Sequence, residues 1–141
     1  MSYENSGPLV QQPSSSDLSF IAGAGGVTSG QAVYISAAGT VLPTTGIGSW
    51  VGIVKVGAAA GKICTVITGK AKVRAVAYGT VTAGDIVVSG PNGTVQTLAA
   101  AQASDEANSG GIATSINNQT ARKALCDTGA SSGGTAIIIP L

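Results

Sequence analysis

The sequence predicts an all-β protein: a compact β-barrel or sandwich built from two related halves and preceded by an extended N-terminal arm. Three observations predict it. A fifteen-residue stretch, Val27 to Val41, recurs without a gap as Val81 to Val95, with seven identical positions. Such self-similarity is the mark of a duplicated supersecondary unit. Gly, Ala, Val, Thr and Ser dominate the composition, a mixture that suits strands and tight turns. Between the copies, apolar residues show no helical spacing, and Gly punctuates the chain every few residues.

Residues 1–17 stand apart as an arm, with Pro8, Pro13, five serines and no periodicity. Such a segment cannot bury a core of its own and is able to order on a partner. A frayed terminus with no role fits the same residues. Tyr3, Leu9 and Val10 are the arm's only anchors. The folded part, 18–141, is expected to begin near Leu18-Ser19-Phe20-Ile21-Ala22, followed by a glycine turn over 23–26.

The first repeat then supplies strands at 32–36 and 40–43 around an Ala37-Ala38-Gly39 turn. Trp50 to Val56 is a strongly apolar strand. The turn Ala58-Ala59-Ala60-Gly61 leads to a strand over 63–67, then to another over 70–78.

The second half is expected to follow the same order. Gly110 to Thr114 takes the place of Val51 to Val54, and Gly133 to Ile139 that of Gly61 to Ile67. Two insertions are expected, at about 98–109 and 117–132. The first reads as a helical turn or a plain loop, the second as a strand-and-loop excursion around Ala121 to Cys126.

Charged residues make up 9% of the chain, against about 25% in an ordinary soluble protein. A surface so poor in charge is expected where other chains cover it. A small β domain with a Ser/Thr surface has the same composition. The net charge of +1 gives no pointer to nucleic acid or an acidic membrane. No apolar run approaches the ~18 residues of a membrane span, and no signal-peptide pattern opens the sequence. The protein is therefore expected to stay in the cytoplasm where it is made. Cys64 and Cys126 read there as free thiols within strands; a single disulfide is the alternative, and spacing alone does not establish that pairing.

The chain has no histidine, which removes the commonest general base and metal ligand. Gly129-Ala130-Ser131-Ser132-Gly133 matches a nucleophile-elbow spelling but has no base to activate its serine. Asp105-Glu106, the only adjacent acidic pair, reads as a solvated turn. Gly23-Ala24-Gly25-Gly26 lacks the third glycine and the helix of a dinucleotide site. The expectation is no catalytic, cofactor-binding or metal site, no small-molecule substrate and no enzyme.

What remains is contact chemistry. Every charge from Lys55 to Arg74 is positive, and on a strand Lys70, Lys72 and Arg74 share one face. That stripe reads as a contact for an acidic protein surface, as a solvated face, or as an edge strand guarded by charge. Trp50, the only tryptophan, reads as a core plug or an interface anchor. The candidate partner-interface residues are Tyr3, Leu9, Val10, Trp50, Lys70, Lys72 and Arg74.

One resemblance follows from the order of short motifs. Gly30-x-x-Val33-Tyr34-Ile35, Gly39-Thr40-Val41, Val51-Gly52-Ile53-Val54 and Ala58-Ala59-Ala60-Gly61-Lys62 come in turn. Ala83-Gly84-Asp85-Ile86-Val87-Val88 and Gly133-x-x-x-Ile137-Ile138-Ile139 complete the series. Over about residues 20–141 this resembles the head-decoration, or capsid cement, proteins of tailed bacteriophages.

The resemblance implies a homotrimer on the outer face of an icosahedral head, at threefold and quasi-threefold positions. It implies the major capsid protein as partner, clamped after expansion, a virion location after synthesis in the bacterial cytoplasm, and no catalytic residues. The alternative is another β-structured phage component, such as a tail-tube, fibre-tip or adhesin domain. An adhesin would display more aromatics for stacking on sugar. A fibre shaft would carry a longer repeat.

Overall fold

The computed structural model describes residues 17–109 and 121–141. These form ten strands and one α-helix. The first half contains β1 (Asp17–Ala22), β2 (Ala32–Ala37), β3 (Thr40–Pro43), β4 (Gly52–Val56) and β5 (Ile63–Ile67). The second contains β6 (Val73–Val76), β7 (Ile86–Ser89), β8 (Val95–Thr97), β9 (Ala124–Thr128) and β10 (Thr135–Pro140). The helix α1 (Leu98–Ser109) lies between β8 and β9.

In the first half the strands close into a barrel in the order β1-β3-β2-β4-β5, with β5 returning to β1. The second-half sheet runs β6-β10-β9-β7-β8, the same neighbours position for position. The parallel pairing of β1 with β3 (Ile21 to Thr40, Ala22 to Val41) closes the first barrel. A single parallel bridge from Ala77 to Val95 stands in its place in the second half.

The equivalence extends to individual hydrogen bonds. Val27 bridges Ala58 as Val81 bridges Ala130. The Gly30 N–H donates to Val54 O, and the Gly84 N–H to Cys126 O, both at 2.8 Å. The Thr28 N–H is capped by Gln31 Oε1 and the Thr82 N–H by Asp85 Oδ2, both at 2.9 Å. Gly30 and Gly84 have φ of 92° and 91°, the left-handed conformation that this turn demands and glycine adopts without strain. A β-bulge falls between Val54 and Val56 and again between Cys126 and Thr128.

This register corrects the expected insertions. Gly52 pairs with Val33, and Ala124 pairs with Val87, so β9 takes the place of β4. Residues 44–51 link β3 to β4, whereas residues 98–123 link β8 to β9. The extra length lies in that one connection, and the expected insertion at 117–132 is instead mostly a repeat strand and its turn. The Gly110–Thr114 match lies outside the described residues. β9 keeps the pairing of β4 without keeping its letters.

The first insertion takes its helical reading. Thr97 Oγ1 accepts the Ala100 N–H at 3.1 Å and caps the first turn. Ala101 then packs on Val88 and Ala121, with Ile47 and Leu98 beside them.

Each half has its own interior. Val27, Val33, Val41, Val54, Cys64 and Val66 fill the first. Val81, Val87, Val95, Cys126, Ala136 and Ile138 occupy the equivalent places in the second. Ala32, Trp50 and Ile53 project from the outside of the first barrel and join that second core. The halves are thereby packed into one body. Asp17, expected in the arm, is the first residue of β1, and the rest of the arm lies outside the described residues.

Candidate partner-binding surface

The junction between the halves organises the candidate residues. Trp50 is 4% exposed and lies in the shared core. Its indole N–H donates to Arg122 O at 2.8 Å, and the Arg122 guanidinium stands 5.0 Å from the ring centroid. Arg122 also donates to Val51 O and Thr68 O, so one side chain ties β9 to the ends of β4 and β5. Burial pulls its pKa below the ordinary arginine value, yet three acceptors around a planar fork keep the charged form in place. Trp50 thus takes the core-plug reading. Its surface is already spent inside the chain, which leaves none to anchor an outside partner.

Val73 and Ala75 point inward from β6 while Lys72 and Arg74 are exposed, the alternation expected of the stripe. The strand is shorter than expected: Lys70 sits exposed in the turn before it. Lys72 and Arg74 meet a cation from the other half, Lys55, along a cleft of about 220 Å³ that also includes Ser29, Ile53 and Ile67.

Two of these cations have carboxylate partners, and the pairing is itself duplicated. Lys55 Nζ contacts Asp17 Oδ2 at 2.9 Å, and Lys72 Nζ contacts Asp127 Oδ1 at 3.5 Å. By register Asp17 is equivalent to Lys72, and Lys55 to Asp127. The duplicated ion pair therefore carries reversed charges. Arg74, whose equivalent is Ser19, is the basic group of the cleft that forms no ion pair among the described residues.

The surface also carries exposed apolar side chains that the sequence did not single out: Leu18, Ile21, Ile35, Val56, Ile63, Tyr78, Ile86, Leu125 and Leu141. Alternation shows which side of a strand each residue takes; it does not show whether that side meets another element.

Cys64 and Cys126 are buried free thiols, each within the core of a different half. Burial raises both pKa values, and Asp85 and Asp127 raise that of Cys126 further. No group of three His, Cys, Asp or Glu gathers among the described residues. No described helix is long and apolar enough to cross a membrane. Tyr3, Leu9 and Val10 lie outside the described residues.

No protein-family profile and no curated protein matches the sequence. Among solved structures, the chain is similar to the N base of the head fibre protein gp8.5 of bacteriophage phi29. The two share 11% sequence identity and superpose with a TM-score of 0.61, over 89% of this chain and 92% of the other. At that identity the likeness shows the fold. The fold of this chain is one also found in the base of a phage head fibre.

Proposed function

We propose that the protein is a structural component of a phage virion, bound to the outer surface of an icosahedral head. In this reading it acts as a trimer at threefold and quasi-threefold positions and cements neighbouring major capsid subunits after expansion. The observation that carries the proposal is the fold likeness to a head fibre base over 89% of the chain, beside a sequence whose motif order resembles head-decoration proteins. The low charge content supports it, because a protein packed between other chains needs little charged surface.

A trimer that touches several subunits sums weak contacts at high effective concentration. An arm that orders on the shell would add contacts available only at the mature spacing. Arg74, which lines the cleft, and Lys70, exposed in the turn before β6, are the groups offered to an acidic capsid surface.

A second reading, favoured by the same likeness, makes the domain the base of a fibre seated on the head. Both readings predict head binding. They differ in what the bound protein does to the shell.

The test mixes purified protein with expanded heads that lack it and with unexpanded proheads. Saturable co-sedimentation with expanded heads supports the proposal, and raised resistance of those heads to heat or chelator supports cementing in particular. Binding without any gain in resistance favours the fibre base. Binding to glycans but not to heads overturns both.

A further inference from the structure

The two halves are equivalent, but their surfaces are not equally covered. Ala32 and Ile53 on the first barrel are 0% and 1% exposed because the second half packs on them. Their equivalents, Ile86 and Leu125, form a cross-strand pair and are 44% and 40% exposed. The opposite side of the junction shows the converse. Val73 is 3% exposed against the first half, whereas its equivalent, Leu18, is 46% exposed.

The turns agree. Gly93, in the Pro91–Gly93 turn, is buried against Gln31 and Pro43 and donates its N–H to Thr44 O at 2.9 Å. Gly39 has the same conformation, φ 70° against 74°, with nothing within 4 Å of where its Cβ would be. The groove that receives Gly93 is formed by Gln31, Ala32, Pro43 and Thr44. Its second-half counterpart, Asp85, Ile86, Thr97 and Leu98, borders an empty groove of about 450 Å³. A Cβ at Gly30 would lie 3.7 Å from Val76 Cγ2 across the junction, while one at its equivalent, Gly84, would meet nothing within 4 Å.

Each chain therefore exposes one unused copy of each side of its own internal junction. We infer that a second copy of this chain occupies them: the Ile86–Leu125 face receives β1 and the Ala37–Gly39 turn of the next protomer. Leu18 of that protomer then packs near Leu125, as Val73 packs near Ile53 within the chain. Such a contact is heterologous, joining unlike faces, and its repetition gives a ring where the rotation closes on itself. With the copy number taken from the trimer of the proposed function, the ring would hold six equivalent halves.

At the internal junction Lys55 and Lys72 share a cleft; at the new one the equivalent groups are Asp127 and Asp17, each held by its own lysine. Burial of apolar side chains, rather than charge pairing across the junction, drives this association. The inference does not depend on head binding.

The test uses two full-length variants, Leu125→Glu and Leu18→Glu, both at exposed positions, with circular dichroism and the unfolding midpoint confirming that each is folded. By sedimentation velocity the natural protein runs as an oligomer at micromolar concentration, and each variant alone runs as a monomer. Mixed, the two form a dimer and nothing larger. The Leu125→Glu protomer still offers an intact β1 side, and the Leu18→Glu protomer still offers an intact Ile86–Leu125 face. A monomeric natural protein, variants that remain oligomeric, or a mixture of folded variants that stays monomeric overturns the inference.

Discussion

The first half is a closed barrel whose outer face is buried by its neighbour; the second has the same strand order but leaves that face open. Backbone pairing, bulges and turn caps are preserved between them, while core packing, surface charge and one connection have diverged. The difference teaches that the duplicated information here is the hydrogen-bond plan. Side chains were free to change wherever the plan did not depend on them, even to the reversal of an ion pair.

The strongest way to break the comparison is to remove the plug between the halves. Trp50→Ala empties a buried site and leaves Arg122 O without its indole partner, and should cost about 3–5 kcal/mol in urea unfolding. A loss below about 1 kcal/mol would mean that the halves are stable without their junction.

The two equivalent glycines give the next contrast. Gly39→Ala and Gly93→Ala both place a side chain at positive φ, a strain of about 1–2 kcal/mol. Only Gly93→Ala also drives a methyl group to within 2.9 Å of Gln31 Cβ. At dilutions that disfavour self-association, the Gly93 variant should unfold at clearly lower urea. Equal midpoints would show that the turn is not wedged into the first barrel.

A smaller effect should come from the thiols. Their folded pKa values lie above the ordinary thiol value, so the unfolded chain loses its protons first as pH rises. The stabilisation is fully present below the unfolded thiol pKa and is lost as pH climbs through the folded values. Cys126→Val borrows the residue that the first half uses at the equivalent position, Val54. It should leave neutral stability within about 1.5 kcal/mol and flatten the alkaline loss. An unchanged alkaline slope would assign that loss to other groups.

The ion pairs should matter least. Exchanging Lys72 and Asp127 (Lys72→Asp with Asp127→Lys) gives the second half the polarity of the first. It should change stability by less than about 1 kcal/mol, because both pairs are solvent-screened. A larger loss would show that the polarity of the pair is tied to its surroundings.

Much of this plan was legible in the residues. The Val-Thr-x-Gly opening of each repeat marks a turn whose geometry needs glycine, and β3 and β5 fall within the ranges their apolar runs predict. The place of β9 was not legible. Its pairing is made by backbone groups, which Ala124-Leu125-Cys126-Asp127-Thr128 supply as well as Gly52-Ile53-Val54-Lys55-Val56 without a shared letter. Arg122 was missed for a related reason. An isolated arginine after a long insertion gives no sign that its guanidinium will meet two carbonyls and an indole far away in the chain. The exposed Ile86 and Leu125 alternate as core residues do, and only the packing shows which half covers that face.

The claim that all this serves a phage head is tested most directly by image reconstruction of expanded heads incubated with the protein. The account predicts added density at threefold and quasi-threefold positions on the outer face, shaped to two five-stranded units per chain and bridging neighbouring capsid subunits. Heads that stay bare at saturating protein would contradict it.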